Sequence, residues 1–182
     1  MKNELRKLTG ALSDWVDKLK QAEKEYNFQK KLTDKLDSHQ GNFTEITLLE
    51  IVLWKTNRYP EISESLLEDI NDLRNDYTEQ KAKNLLSHLL SLKGFDLPMA
   101  STILRFANPS ELQIIDQRVY RLISNEKHLR KLYNVEAKIN LYFEYIDELK
   151  GICKNYNIPF IKADRILYQL DKIVNKEIPI NY

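Results

Sequence analysis

Among the side chains that could do chemistry in this chain, Asp116 stands in the most suggestive surroundings. It opens an apolar helical pattern (Val119, Leu122, Ile123) about twenty residues after a Gly-centred hairpin, Leu92-Lys93-Gly94-Phe95-Asp96-Leu97-Pro98-Met99. A carboxylate held in this way can orient a water or stabilise a developing cation. A hairpin leading into a helix start can hold an anion, because the first helical N–H groups lack partners and the helix dipole is positive there. Structural roles fit the same residues. Asp116 can N-cap the helix it precedes, with Ile115 and Tyr120 closing a hydrophobic staple across it. Asp96 can cap the other helix by accepting the Met99 N–H, since Pro98 has none to offer.

The elements that must position these residues read as helices. Gly94 can end the helix carrying Leu89, Leu90 and Leu92, because glycine adopts the left-handed conformation without a Cβ penalty. Pro98 fits the first turn of the next helix. Met99, Ile103, Leu104, Phe106 and Ala107 form the predicted buried side of that helix, and Asn108-Pro109 ends it. Further upstream, Leu5 to Leu19 carry one apolar stripe within a predicted helix over residues 2–38. Thr44 is a predicted N-cap, with Thr47 three residues on. The helix behind it, Ile46 to Trp54, is apolar nearly all round, which predicts a central, buried element. Amphipathic patterns over 62–73, 79–92, 135–149 and 162–174 complete the set. With 4 glycines and 5 prolines in 182 residues, long helices are the economical explanation, and the expected fold class is all-α.

Composition bounds the remaining classes. A chain of 182 residues can bury a core without a disulfide or metal staple. Cys153 is the one cysteine, so neither an internal disulfide nor a cysteine-ligated cluster can form, which suits a reducing cytoplasm. His39, His88 and His128 lack metal-ligand spacing, so neither a metal nor a cofactor is expected. The first residues show no apolar signal-peptide core, and no run is long enough to span a bilayer, so no membrane partner is expected. The net charge is +1. From Lys93 to Lys131 seven basic residues face four acidic ones, a mild local excess that a solvated helix face also explains.

Residues 92–121 resemble the helix-hairpin-helix DNA glycosylase superfamily. That family's hairpin reads approximately Leu-Pro-Gly-Val-Gly-x-Lys-x-Ala and is followed at this distance by Val-Asp-x-x-Val-x-Arg. The corresponding text here is Leu92-Lys93-Gly94-Phe95-Asp96-Leu97-Pro98-Met99-Ala100 and Ile115-Asp116-Gln117-Arg118-Val119-Tyr120-Arg121. A weaker likeness lies in Leu49 to Arg58, where the family carries an apolar helix ending in a polar turn. The resemblance implies a two-lobed helical domain spanning 1–182, with the cleft between its lobes and the helix-hairpin-helix and acidic-loop region at about 79–123. It implies DNA as the partner, with the hairpin amides of Gly94, Phe95, Asp96, Leu97, Pro98 and Met99 on a phosphate. Asp116 would be the catalytic carboxylate acting on a flipped base. Lys55, Arg58 and Arg118 would be further DNA contacts. Two residues depart from the family pattern. Asp96 replaces the hairpin's second glycine, putting an anion where phosphate would dock. Pro98 stands where bifunctional members keep a nucleophilic lysine, which excludes Schiff-base chemistry there and leaves monofunctional hydrolysis. The alternative expectation is a non-catalytic helical module that binds DNA or protein through the inherited fold.

Overall fold

The computed structural model describes residues 16–56, 60, 62–124, 126, 129 and 131–180. Every regular element among them is helical, and no strand occurs among the described residues. No described helix is long and apolar enough to cross a membrane. The chain gathers into two compact units, Met1–Tyr59 and Pro60–Tyr182.

The first unit holds α1 (Val16–Glu25), α2 (Lys30–Asp37) and α3 (Glu45–Lys55). The helix predicted over 2–38 is broken, and its first part lies outside the described residues. The break falls at Gln29, whose φ of 42° is left-handed. It allows α2 to fold back on α3. There Phe28 meets the Trp54 ring edge-on at 5.5 Å, and the Trp54 indole N–H donates to Thr33 Oγ1 at 2.9 Å. Thr44 caps α3 as expected: the Thr47 N–H donates to Thr44 Oγ1, and the Thr44 N–H donates back to Thr47 Oγ1.

The expectation that α3 is central and buried is overturned. Ile46, Leu48, Leu49, Val52 and Leu53 are all exposed, Ile46 by 67%. Leu32 and Thr47 are the only buried side chains among the described residues of this unit. Among the described residues only α1 and α2 accompany α3 in this unit, and they are too short to cover a helix that is apolar on every side.

The second unit holds α4 (Glu64–Asn75), α5 (Glu79–Ser91), α6 (Leu97–Ala107), α7 (Gln117–Ile123), α8 (Val135–Asn155) and α9 (Ala163–Val174). Side-chain caps start most of them, from Ser63, Thr78, Asp96, Asp116 and Asn134. Each cap satisfies one N–H that the first helical turn leaves without a partner. The core runs through Leu66 and Leu73 of α4, Leu85, Leu86 and Leu89 of α5, Leu104 of α6, and Tyr142, Tyr145 and Leu149 of α8. On α6 the buried face is Leu97, Ala100, Ser101, Leu104, Arg105 and Ala107. Met99 and Phe106, predicted to be inside, are 54% and 58% exposed. Met99 and Phe106, seven residues apart, fall on the side of the helix opposite Leu97, Ala100, Leu104 and Ala107, so they face outward when that side packs. The Arg105 guanidinium covers the Phe106 ring at 4.8 Å.

Candidate functional site

The hairpin between α5 and α6 is a single tight turn. The Phe95 N–H donates to the Leu92 carbonyl at 3.1 Å, and Gly94 takes φ 88° between them. Type II turns require positive φ at that position, so a side chain there would be strained although the space around it is open. Helix α5 itself ends one turn position earlier than expected, at Ser91, with Leu92 extended as its C-cap. Gly94 therefore shapes the turn and does not end the helix.

Asp96 follows the turn and caps α6. It accepts the Leu97 N–H at 2.8 Å, one residue on, and not the Met99 N–H that Pro98's missing donor suggested. Lys138 Nζ, from the first turn of α8, lies 2.7 Å from the same carboxylate oxygen. Burial opposes ionisation of Asp96, but the Lys138 ammonium and the Leu97 N–H outweigh it and hold its carboxyl below the ordinary value. An anion from the chain itself thus occupies the start of α6, where the family would hold phosphate. The Asp96 side chain is 71% exposed, and ion pairs in that setting are worth about 1 kcal/mol or less.

Asp116 caps α7 with different surroundings. Its Oδ1 accepts the Arg118 N–H at 2.7 Å, and it is only partly buried. Oδ2 has no hydrogen-bond partner among the described residues. The staple residues Ile115 and Tyr120 both belong to the core. The loop leading into Asp116 is fixed residue by residue. The Tyr142 hydroxyl donates to the Gln113 carbonyl at 2.9 Å, and the Tyr145 hydroxyl donates to the Ile114 carbonyl at 2.7 Å. The Ile115 N–H donates to Ser101 Oγ at 3.2 Å. Burial pushes both tyrosines well above the ordinary phenol range, so each stays a hydroxyl donor. Two helices, α6 and α8, therefore aim one carboxylate.

Arg118, expected to contact DNA, is engaged inside the protein. Its Nη1 donates to Asp171 Oδ2 at 3.0 Å, and its guanidinium lies 5.6 Å from the Tyr168 ring centre. Arg121 reaches the same carboxylate with two N–H groups, Nε at 2.6 Å and Nη2 at 2.8 Å. Asp171 is fully buried. Burial opposes its charge, but Arg121, Asn175 and Arg118 more than offset this and lower its pKa. These bonds fasten α7 to α9, as the buried Arg105–Asp164 pair fastens α6 to α9. Lys55 lies exposed at the end of α3, in the first unit, and Arg58 falls outside the described residues. Lys127, His128 and Arg130 of the basic stretch KHLRK also fall outside them.

Comparison with family models, with curated proteins and with solved structures gave no match.

Sequence reasoning did not find Ser101, Lys138, Tyr142, Tyr145 or Asp171 as partners of this region. Tyr142 carried a signal, since it falls on the apolar face of its helix. The carbonyl its hydroxyl would reach, 29 residues away, left no local trace. Beside the site, a hollow of about 270 Å³ is bordered by Tyr120, Tyr145 and three carboxylates, Glu126, Glu144 and Glu148. That wall repels phosphate. No group of three or more His, Cys, Asp or Glu side chains able to hold a metal occurs among the described residues. Cys153 is buried, and its thiol is pushed above the ordinary range, which makes it a poor nucleophile.

Proposed function

We propose that this protein binds duplex DNA through the α5–α6 hairpin and hydrolyses an N-glycosidic bond with Asp116. The observation that supports this reading is the Asp116 carboxylate itself, anchored through Oδ1, with Oδ2 unengaged among the described residues, on a loop fixed by three hydrogen bonds. A group that must act on a transition state gains most from being aimed in advance. In the proposed reaction the bond from C1′ of the sugar to the base breaks, and its electron pair leaves with the base. Asp116 Oδ2 faces the positive charge developing on the sugar and directs a water oxygen to C1′. One water proton goes to the base, giving free base and an abasic sugar. Pro98 carries no amine, so strand cleavage by a Schiff base does not follow.

The test is incubation with duplexes carrying single uracil, hypoxanthine, 8-oxoguanine or alkylated bases, followed by alkali to reveal abasic sites. The reading expects alkali-dependent cleavage of one of these substrates and none without alkali. Retained cleavage by Asp116→Asn removes Asp116 from the reaction.

A second reading is favoured by a specific observation, the Asp96–Lys138 pair at the start of α6. With Arg118 and Arg121 held by Asp171, it supports a non-catalytic module that kept the helical scaffold. A gel-shift titration across salt separates DNA binding from the protein-binding form of this module, and Asp116→Asn separates catalysis from DNA binding alone. Binding through several phosphates weakens steeply as salt rises. Absence of any shift at low salt favours the second reading.

A further inference from the structure

The loop between α7 and α8 carries a side chain that neither the hairpin nor Asp116 accounts for. Tyr133 is 93% exposed, against 76% for Tyr156, the next most exposed aromatic side chain among the described residues. The loop around it is held. Leu129 and Leu132 pack against the core, and the Leu129 N–H donates to Gln117 Oε1 at 2.8 Å. Gln117 directly follows Asp116. On the other side, Asn134 caps α8 by accepting the Ala137 N–H at 3.1 Å, and Lys138 in the same turn reaches Asp96 beside the hairpin at 2.7 Å. Tyr133 is thus tied between the residue after Asp116 and the start of α6. It lies four residues beyond Leu129, a stretch of chain that spans at most about 14 Å.

The neighbours of Tyr133 narrow what it can meet. Leu132 packs against the core, and the residues on either side of it, Lys131 and Tyr133, are both exposed. A ring and a cation two residues apart match an unstacked nucleotide, because every base offers a π face and its phosphate a negative charge. A protein partner is recognised instead through a contiguous, well-packed apolar centre. This stretch does not supply one: Leu132 is turned to the core, Asn134 is committed to its cap, and Tyr133 offers one ring.

We infer that Tyr133 is a base-stacking residue, its ring lying against a DNA base that is uncovered when a nucleotide leaves the duplex. This inference rests on the DNA reading and extends it to a residue outside the hairpin. A departing nucleotide leaves its neighbours without a stacking partner, and a ring supplied from a fixed loop restores part of what they lose. The loop is anchored before DNA arrives, so little ordering is needed on binding. Lys131 meets an adjoining phosphate. The ring acts, not the hydroxyl, so another aromatic residue can replace Tyr133.

Fluorescence anisotropy of the full chain tests it with two labelled duplexes of one sequence. One is fully paired, and the other carries a single tetrahydrofuran abasic analogue, which leaves a gap in the base stack. The parent protein should bind the gapped duplex about tenfold more tightly. Tyr133→Ser should bring the two affinities within about twofold of each other, whereas Tyr133→Phe and Tyr133→Trp should keep the preference. Lys131→Gln should weaken both duplexes alike and reduce the salt slope by about one. Circular dichroism and thermal melting check that each variant keeps its fold. A preference for the gapped duplex that survives Tyr133→Ser overturns the inference and leaves DNA binding standing. So does equal binding of both duplexes by the parent. No binding of either duplex at low salt overturns the DNA reading and this inference with it.

Discussion

Asp96 and Asp116 lie in one stretch of chain and do the same local job, yet their surroundings differ. Each accepts a backbone N–H at the start of a helix. Asp96 is exposed and closed off by Lys138, so its charge is answered within the molecule. Asp116 is half-buried, sits on a loop fixed by Ser101, Tyr142 and Tyr145, and keeps one oxygen unengaged among the described residues. The contrast shows that capping does not decide whether a carboxylate is available for other work. What decides is whether a cation has been supplied to it, and how firmly its backbone is held.

The largest effect expected from breaking this contrast is on Asp116. Asp116→Asn keeps a good N-cap, so melting temperature should hardly change. Under the proposed reaction, excision should fall by on the order of 10²–10⁴ in single-turnover assays. A normal rate would reduce Asp116 to the role Asp96 already plays.

Next comes the carboxylate with every oxygen committed. Asp171→Ala leaves the Arg121 guanidinium in the interior without its partner, and chemical denaturation should show a loss of about 3 kcal/mol or more. The acid side follows from the same bonds. The folded pKa of Asp171 is lowered, so its contribution is present above the unfolded value of about 3.9 and is lost as pH falls through the lower folded value. Asp171→Asn should flatten the stability profile in that window.

Loosening the loop without touching the carboxylate should have a smaller effect. Tyr145→Phe removes the bond to the Ile114 carbonyl and should lower stability by about 1 kcal/mol. Excision should fall roughly tenfold while Asp116 remains in place. The tyrosine pKa values are raised, so their contribution is present below the unfolded value of about 10 and declines as pH rises beyond it. Alkaline titration of Tyr142→Phe/Tyr145→Phe should show a weaker decline than the parent.

The smallest effect is on the closed end. Asp96→Asn retains the cap and frees Lys138, so DNA affinity at low salt should rise severalfold with a steeper salt dependence. Unchanged affinity would mean that the hairpin is not where DNA docks.

Parts of this were legible in the sequence because they are local. Thr44 announced an N-cap, Gly94 a turn, Pro98 a helix start, and Asp116 a cap behind a staple. Each of these depends on residues a few positions apart. The pairs that give Asp96 and Asp116 their different characters span longer distances. Lys138 is 42 residues from Asp96, and Arg118 is 53 from Asp171. No periodicity records such meetings, because a surface lysine and a latching lysine look alike until the helices pack. Helix α3 failed for a related reason. Its apolar residues correctly predict a helix, but they do not say whether anything lies against it.

That helix has a consequence for how the molecule breathes. Protection against hydrogen exchange depends on how much must come apart before an amide meets water. Opening α3 in the first unit exposes little that is not already wet, whereas opening α5 or α8 tears apart the leucine and tyrosine core. Amides of α1–α3 should therefore exchange through small local fluctuations, while those of α5, α6 and α8 wait for global unfolding.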